Sequence, residues 1–146
     1  MSDLYELQLA LDLRDSLSPA ELGYLRGHLG ESMDATEEAV MAEGDTYPLL
    51  SSRGPAWRIG GVLVGSLCRG SRGWSLTIRQ EVHPDQFDDL QHLLTLLGTW
   101  TTSVGTIGYL RFYETEAPDV LIADSGRVRR RSLTGPDSDE EDLLPV

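Results

Sequence analysis

The sequence predicts an α+β protein with the ferredoxin-like order βαββαβ, an antiparallel sheet carrying two helices on one face, followed by a C-terminal hairpin. Three observations lead there. Residues 4 to 13 and 74 to 82 alternate apolar and polar side chains, the period of a strand with one dry face. Residues 19 to 29 and 84 to 100 instead space their leucines three and four apart, the period of an amphipathic helix. These segments also follow one another as strand, helix, strand, strand, helix, strand.

In the first strand, Tyr5, Leu7, Leu9, Leu11 and Leu13 share a face opposite Glu6, Gln8, Ala10 and Asp12. Ser18-Pro19-Ala20-Glu21 then supplies an N-cap, a proline at the first helical position and a glutamate at the third, a capping box. Leu22, Leu25 and Leu29 form the stripe of that helix, and Gly30 stands where a C-terminal cap belongs. Residues 31–56 read as a long irregular loop, with Asp34 to Glu37 able to cap a short helix.

Trp57 to Cys68 read as the second strand, and Gly60, Gly61 and Gly65 imply a bulge or a close backbone approach. Residues 69–73 turn the chain into Trp74–Val82. Pro84 opens the second helix, Asp85, Asp88 and Asp89 suit its dipole, and Phe87, Leu90, Leu93, Leu94, Leu97 and Trp100 make its apolar face. The fourth strand, 106 to 114, is read with Ile107, Tyr109, Arg111 and Tyr113 on one face and Leu110 and Phe112 on the other. Residues 120–123 and 127–131 complete the hairpin across Asp124-Ser125-Gly126. A single domain over 1–131 and a disordered acidic tail over 132–146 are expected.

Composition narrows the function. The 146 residues carry a net charge of −12, and the part before the tail is itself acidic, a field that disfavours nucleic acid and anionic membranes. No stretch is long and apolar enough to span a bilayer, no signal-peptide pattern opens the chain, and one cysteine, Cys68, excludes an internal disulfide. A cytoplasmic setting follows as an expectation. All twelve basic residues are arginine, matching the codon bias of a GC-rich genome such as an actinobacterium's.

No motif specifies catalysis, a metal site or a cofactor, so none is assigned. His92, near Asp88 and Asp89, belongs to a solvated helix face; His28 reads as a core-edge histidine, and Cys68 as a small hydrophobe. The most promising polar group is Arg79, Glu81 and His83 at the end of the central strand, read either as an anion-holding acid/base set or as strand pairing plus a helix cap. Tyr109, Arg111 and Tyr113 join it on the open sheet face, and Trp57 sits in a segment able to fold over it. Aromatic residues with arginine are favoured at protein interfaces. The expected role is therefore a binding module, self-associating as a homodimer through the sheet face or an edge strand and able to take a protein partner. The alternatives are a small-molecule or enzyme pocket on that face, and an acidic inhibitor or immunity-type protein for a basic partner.

Overall fold

A computed structural model describes residues 3–31, 48–133 and 140–142. Its centre is a seven-stranded antiparallel sheet. The strands are β1 (Tyr5–Leu13), β3 (Val62–Arg69), β4 (Trp74–Val82), β5 (Gly105–Phe112), β6 (Asp119–Asp124), β7 (Arg127–Ser132) and β8 (Glu140–Asp142). They lie in the order β3-β4-β1-β5-β6-β7-β8, and the two-residue β2 (Gly54–Pro55) pairs outside β3. Helix α1 (Pro19–His28) links β1 to the β2–β3 region; α2 (Phe87–Trp100) links β4 to β5.

The α+β class, the antiparallel sheet and the two helices thus agree with the sequence reading. The strand order as a whole differs from a four-stranded ferredoxin-like sheet, because β6, β7 and β8 extend it beyond β5. The hairpin foreseen near the C-terminal end is β6–β7, turning through Ser125 and Gly126 with φ of 52° and 82°. Of the segment expected to be a tail, Glu140–Asp142 pairs with β7; the rest of 134–146 lies outside the described residues, as does the helix foreseen near 34–42.

The core lies between one sheet face and the helices. Leu7, Leu9 and Leu13 of β1 and Ile78 of β4 meet Leu25 of α1 and Leu90, Leu93, Leu94 and Leu97 of α2, all with no exposure. At roughly 1.5–3 kcal/mol per fully buried leucine, this layer is the principal stabilising term. Ser18 caps α1 through the anticipated box: its hydroxyl accepts from Glu21 N at 3.1 Å while Glu21 accepts from Ser18 N at 2.8 Å. Gly30, at φ +78°, ends the helix in a Schellman pattern, with Gly30 N donating to Gly27 O and Glu31 N to Arg26 O. His28 is buried outright, and its Nδ1 accepts from Leu49 N at 3.1 Å, tying the returning chain to α1.

Three local expectations change. The second strand starts at Val62, not Trp57, because residues 57–61 turn back with Gly60 and Gly61 at φ 80° and 70°. Ile107 leaves the Tyr109 face and is buried, since a bulge between Thr106 and Gly108 inserts one residue and flips the alternation. Cys68 is exposed on β3 with its Sγ 3.5 Å from Ser66 Oγ, so it stands outside the core.

Candidate functional site: a buried carboxylate and a clamped loop

The open face of the sheet holds a cluster built on β1, β4 and β5. At its centre is Glu6, only 4% exposed although it lies on the polar side of β1. Its register partners are Glu81 on β4 and Arg111 on β5. Two glutamates directly opposite each other repel. The cluster resolves this by drawing each carboxylate toward different donors.

Glu6 Oε2 accepts from Arg79 Nε and from the Tyr109 hydroxyl, each at 2.9 Å. Its Oε1 accepts from Arg111 Nε at 3.0 Å and lies 2.9 Å from Arg111 Nη2, a two-pronged contact from one guanidinium. Both guanidiniums also reach backbone carbonyls. Arg79 Nη1 donates to Gly60 O at 2.6 Å and Val62 O at 3.2 Å, and Nη2 to Ile59 O at 3.3 Å. Arg111 Nη1 donates to Tyr113 O at 3.2 Å and Thr115 O at 2.9 Å. Burial raises the pKa of the Tyr109 hydroxyl first; its hydrogen bond to Glu6 and that carboxylate's charge raise it further, with Arg79 and Arg111 opposing.

Glu81 turns the other way. It accepts from three successive amides, Trp57 N at 2.9 Å, Arg58 N at 2.5 Å and Ile59 N at 3.2 Å. The 57–61 turn is thereby clamped onto the sheet, with Arg79 gripping its carbonyls and Glu81 its amides. On top of it the Arg58 guanidinium lies 4.8 Å from the Trp57 ring centroid and 5.6 Å from that of Tyr113. Burial pushes the Glu81 carboxyl upward, but the three amides and the Arg79 charge outweigh it and hold the pKa below the ordinary value.

A pH prediction follows from that sign. A group depressed in the folded state stabilises it above its unfolded pKa and loses that contribution as pH falls through the folded value. Acidification below the ordinary glutamate range is therefore expected to release the 57–61 turn. The amide resonances of Trp57, Arg58 and Ile59 should shift together, with one midpoint below the usual glutamate range, and Glu81→Gln should abolish that transition. Flat amides, or a midpoint above that range, would disprove the clamp.

Of the residues singled out from sequence, Arg79, Glu81, Tyr109, Arg111, Tyr113 and Trp57 come together here. His83 does not. Its Nδ1 accepts from Asp85 N at 3.1 Å, while Gln86 Oε1 accepts from His83 N, capping the turn (84–86) that leads into α2. The acid/base reading of Glu81 with His83 therefore gives way to a helix cap. Sequence reasoning missed Glu6, whose only signal was a carboxylate on the wet face of the most alternating strand. It also missed Gln80, 1% exposed, which holds Ser52 through both its amide atoms and reaches Val64 O.

A cavity of about 530 Å³ lies elsewhere, at the β3–β4 turn, walled by Asp12, Leu13, Thr102 and residues 70–75. Among the described residues no group of His, Cys, Asp and Glu is arranged to hold a metal ion, and no helix is long and apolar enough to cross a membrane. Comparison with known proteins finds no matching family model, no matching curated protein and no matching solved structure.

Proposed function

We propose that this protein is a binding module that self-associates through its open sheet face, with Trp57 as the anchor. The observation that carries the reading is Trp57 itself, 69% exposed on a turn fixed by three hydrogen bonds from backbone amides to the Glu81 carboxylate. A large ring held in place and left in water has already lost freedom that binding would otherwise cost. Tryptophan, tyrosine and arginine are also the residues that dominate interface energetics, and Arg58 joins Trp57 to Tyr113. Val62 and Val64, 60% and 38% exposed, add aliphatic area on the adjoining strand.

A second copy is the partner favoured, despite a net charge of −12, because the carboxylate beneath the patch is already answered by three amides and Arg79. Two such patches can meet across a two-fold axis without opposing bare negative charge. A pocket for chemistry on this face has less in its favour, since Arg79, Arg111 and Tyr109 spend their hydrogen bonds on Glu6 and on backbone carbonyls. Small-molecule binding finds its support instead in the cavity at the β3–β4 turn. For the fold, the inner order β3-β4-β1-β5 and the placement of the two helices support reading the sheet as a ferredoxin-like centre extended by further strands. A lone exposed thiol fits a reducing, cytoplasmic setting.

Light scattering over a concentration series tests the proposal. The wild-type chain should approach twice its monomer mass at micromolar concentration, and Trp57→Ala should weaken association at least ~10-fold while leaving thermal stability nearly unchanged. A wild-type chain that stays monomeric throughout the series overturns the self-association reading.

A further inference from the structure

Away from the Trp57 patch, the far side of the sheet carries a second surface. Strand β7 concentrates four of the twelve basic residues, Arg127, Arg129, Arg130 and Arg131, within six positions. One side of β7 is fully paired with β6, from Asp119↔Ser132 to Asp124↔Arg127. Its other side receives β8 in antiparallel register, Arg129↔Asp142, Arg130↔Glu141 and Arg131↔Glu140. Three arginines thus stand opposite three carboxylate residues from the acid-rich segment 137–142.

We propose that β7 is a docking strand for an acidic, extended segment of a partner protein, and that β8 is its intramolecular stand-in. Three features point to this occupant. First, β8 is three residues long against six in β7, so the cover is short, and so small an edge strand is marginal without further support. Second, the register sets arginines opposite acidic residues in a chain of net charge −12, so the segment this side of β7 accepts is an acidic one. Third, Arg130 is incompletely satisfied. Its Nε and Nη2 bind Asp119 Oδ2 at 2.6 and 2.5 Å, whereas its Nη1 is buried with no hydrogen-bond partner among the described residues.

The chemistry selects a polypeptide over other anions. A strand added to an edge satisfies backbone N–H and C=O groups in a ladder and places alternate side chains on the two faces. A phosphate backbone supplies the charge but no ladder. The binding-competent fraction is the population with β8 released, so the intramolecular strand lowers the apparent affinity by that fraction.

The test uses the full chain and a synthetic peptide of residues 137–146 carrying a fluorophore. A triple variant, Glu140→Lys, Glu141→Lys and Asp142→Lys, should bind this peptide at least ~10-fold more tightly than wild type. Binding should weaken steeply with salt and should slow amide exchange at Val128 to Arg131. Two controls accompany it, the same peptide with prolines at alternate positions and a single-stranded oligonucleotide of equal charge; neither should bind. Equal affinity for wild type and variant, no binding to either, or equal binding of the oligonucleotide, which would mark a general polyanion site, each overturns the proposal. Should the triple variant fail to fold, Glu141→Gln removes one charge at nearly constant volume and must change peptide affinity in the same direction; no change there also overturns it.

Discussion

Replacing Glu6 by alanine is expected to destabilise the protein by about 3–5 kcal/mol, the range for removing one partner of a buried ion pair. The magnitude follows from what remains. Arg79 and Arg111 have side chains 24% and 22% exposed, and Glu6 answers both. Without it, two guanidiniums face each other across β1 and the Tyr109 hydroxyl loses its acceptor. Net charge argues the other way, since removing an acid from a chain at −12 relieves general repulsion. The short-range effect should win because these contacts are at 2.9–3.0 Å and largely shielded from water. Glu6→Gln, which keeps an acceptor but turns an amide toward a guanidinium, should cost about 2 kcal/mol. Urea unfolding with an unchanged slope reports both values. A loss below about 1 kcal/mol for Glu6→Ala would reduce the cluster to an ordinary surface pair. Replacing Glu6, Arg79 and Arg111 together by apolar residues of similar size should recover much of the loss, because the penalty lies in the stranded partners.

Gly108→Ala is the second large effect, expected at about 3 kcal/mol or more, the upper end of what overpacking costs. A β-carbon on Gly108 would sit 1.8 Å from the Gln8 carbonyl oxygen and 2.9 Å from Leu9 Cα. Both neighbours are backbone, so no side chain can swing aside. Strands β1 and β5 would have to part at the pairing Leu9↔Gly108, next to the bulge that sets which residues of β5 face outward. The variant should therefore disturb the cluster as well as the fold. Because burial first, and then the bond to Glu6 and its charge, hold the Tyr109 pKa up, parting the strands should let Tyr109 ionise at lower pH than in wild type, visible by ultraviolet titration. Gly105→Ala serves as the control: nothing lies within 4 Å of its β-carbon, and only its φ of +94° is unfavourable, a cost of about 1 kcal/mol. Equal losses at the two positions would show that close strand approach is not the cause.

The elements themselves were legible because their signals are local. The alternation of Tyr5 to Leu13 gave β1 its dry face, and Ser18, Pro19, Glu21 and Gly30 marked both ends of α1. Pro84 with the leucines of 87–100 gave α2. The site residues on β4 and β5 were legible too, since their wet faces could be read strand by strand. Boundaries failed where glycines fold the chain back, at 57–61, and where a single inserted residue, Ile107, reverses the alternation of β5.

Glu6 was beyond reach for a different reason. Its burial requires β1 to lie between β4 and β5, in a register that sets Arg111 opposite it and Arg79 and Tyr109 on its diagonals. Those pairings join residues more than seventy positions apart in the chain. A periodicity says only which face a side chain takes, not which strand becomes its neighbour. Likewise the acidity of residues 137–142 was plain in the sequence, while the register that sets Glu140, Glu141 and Asp142 opposite Arg131, Arg130 and Arg129 depends on the ladder between β7 and β8. The sequence by itself therefore determined the strands, the helices, their buried faces and the acidic balance, all set by neighbours a few residues away. The tertiary structure alone decided that two arginines converge on the Glu6 carboxylate and that Glu81 clamps the Trp57 turn. The reason is that sheet pairing brings together groups whose attraction exists only once the register is set.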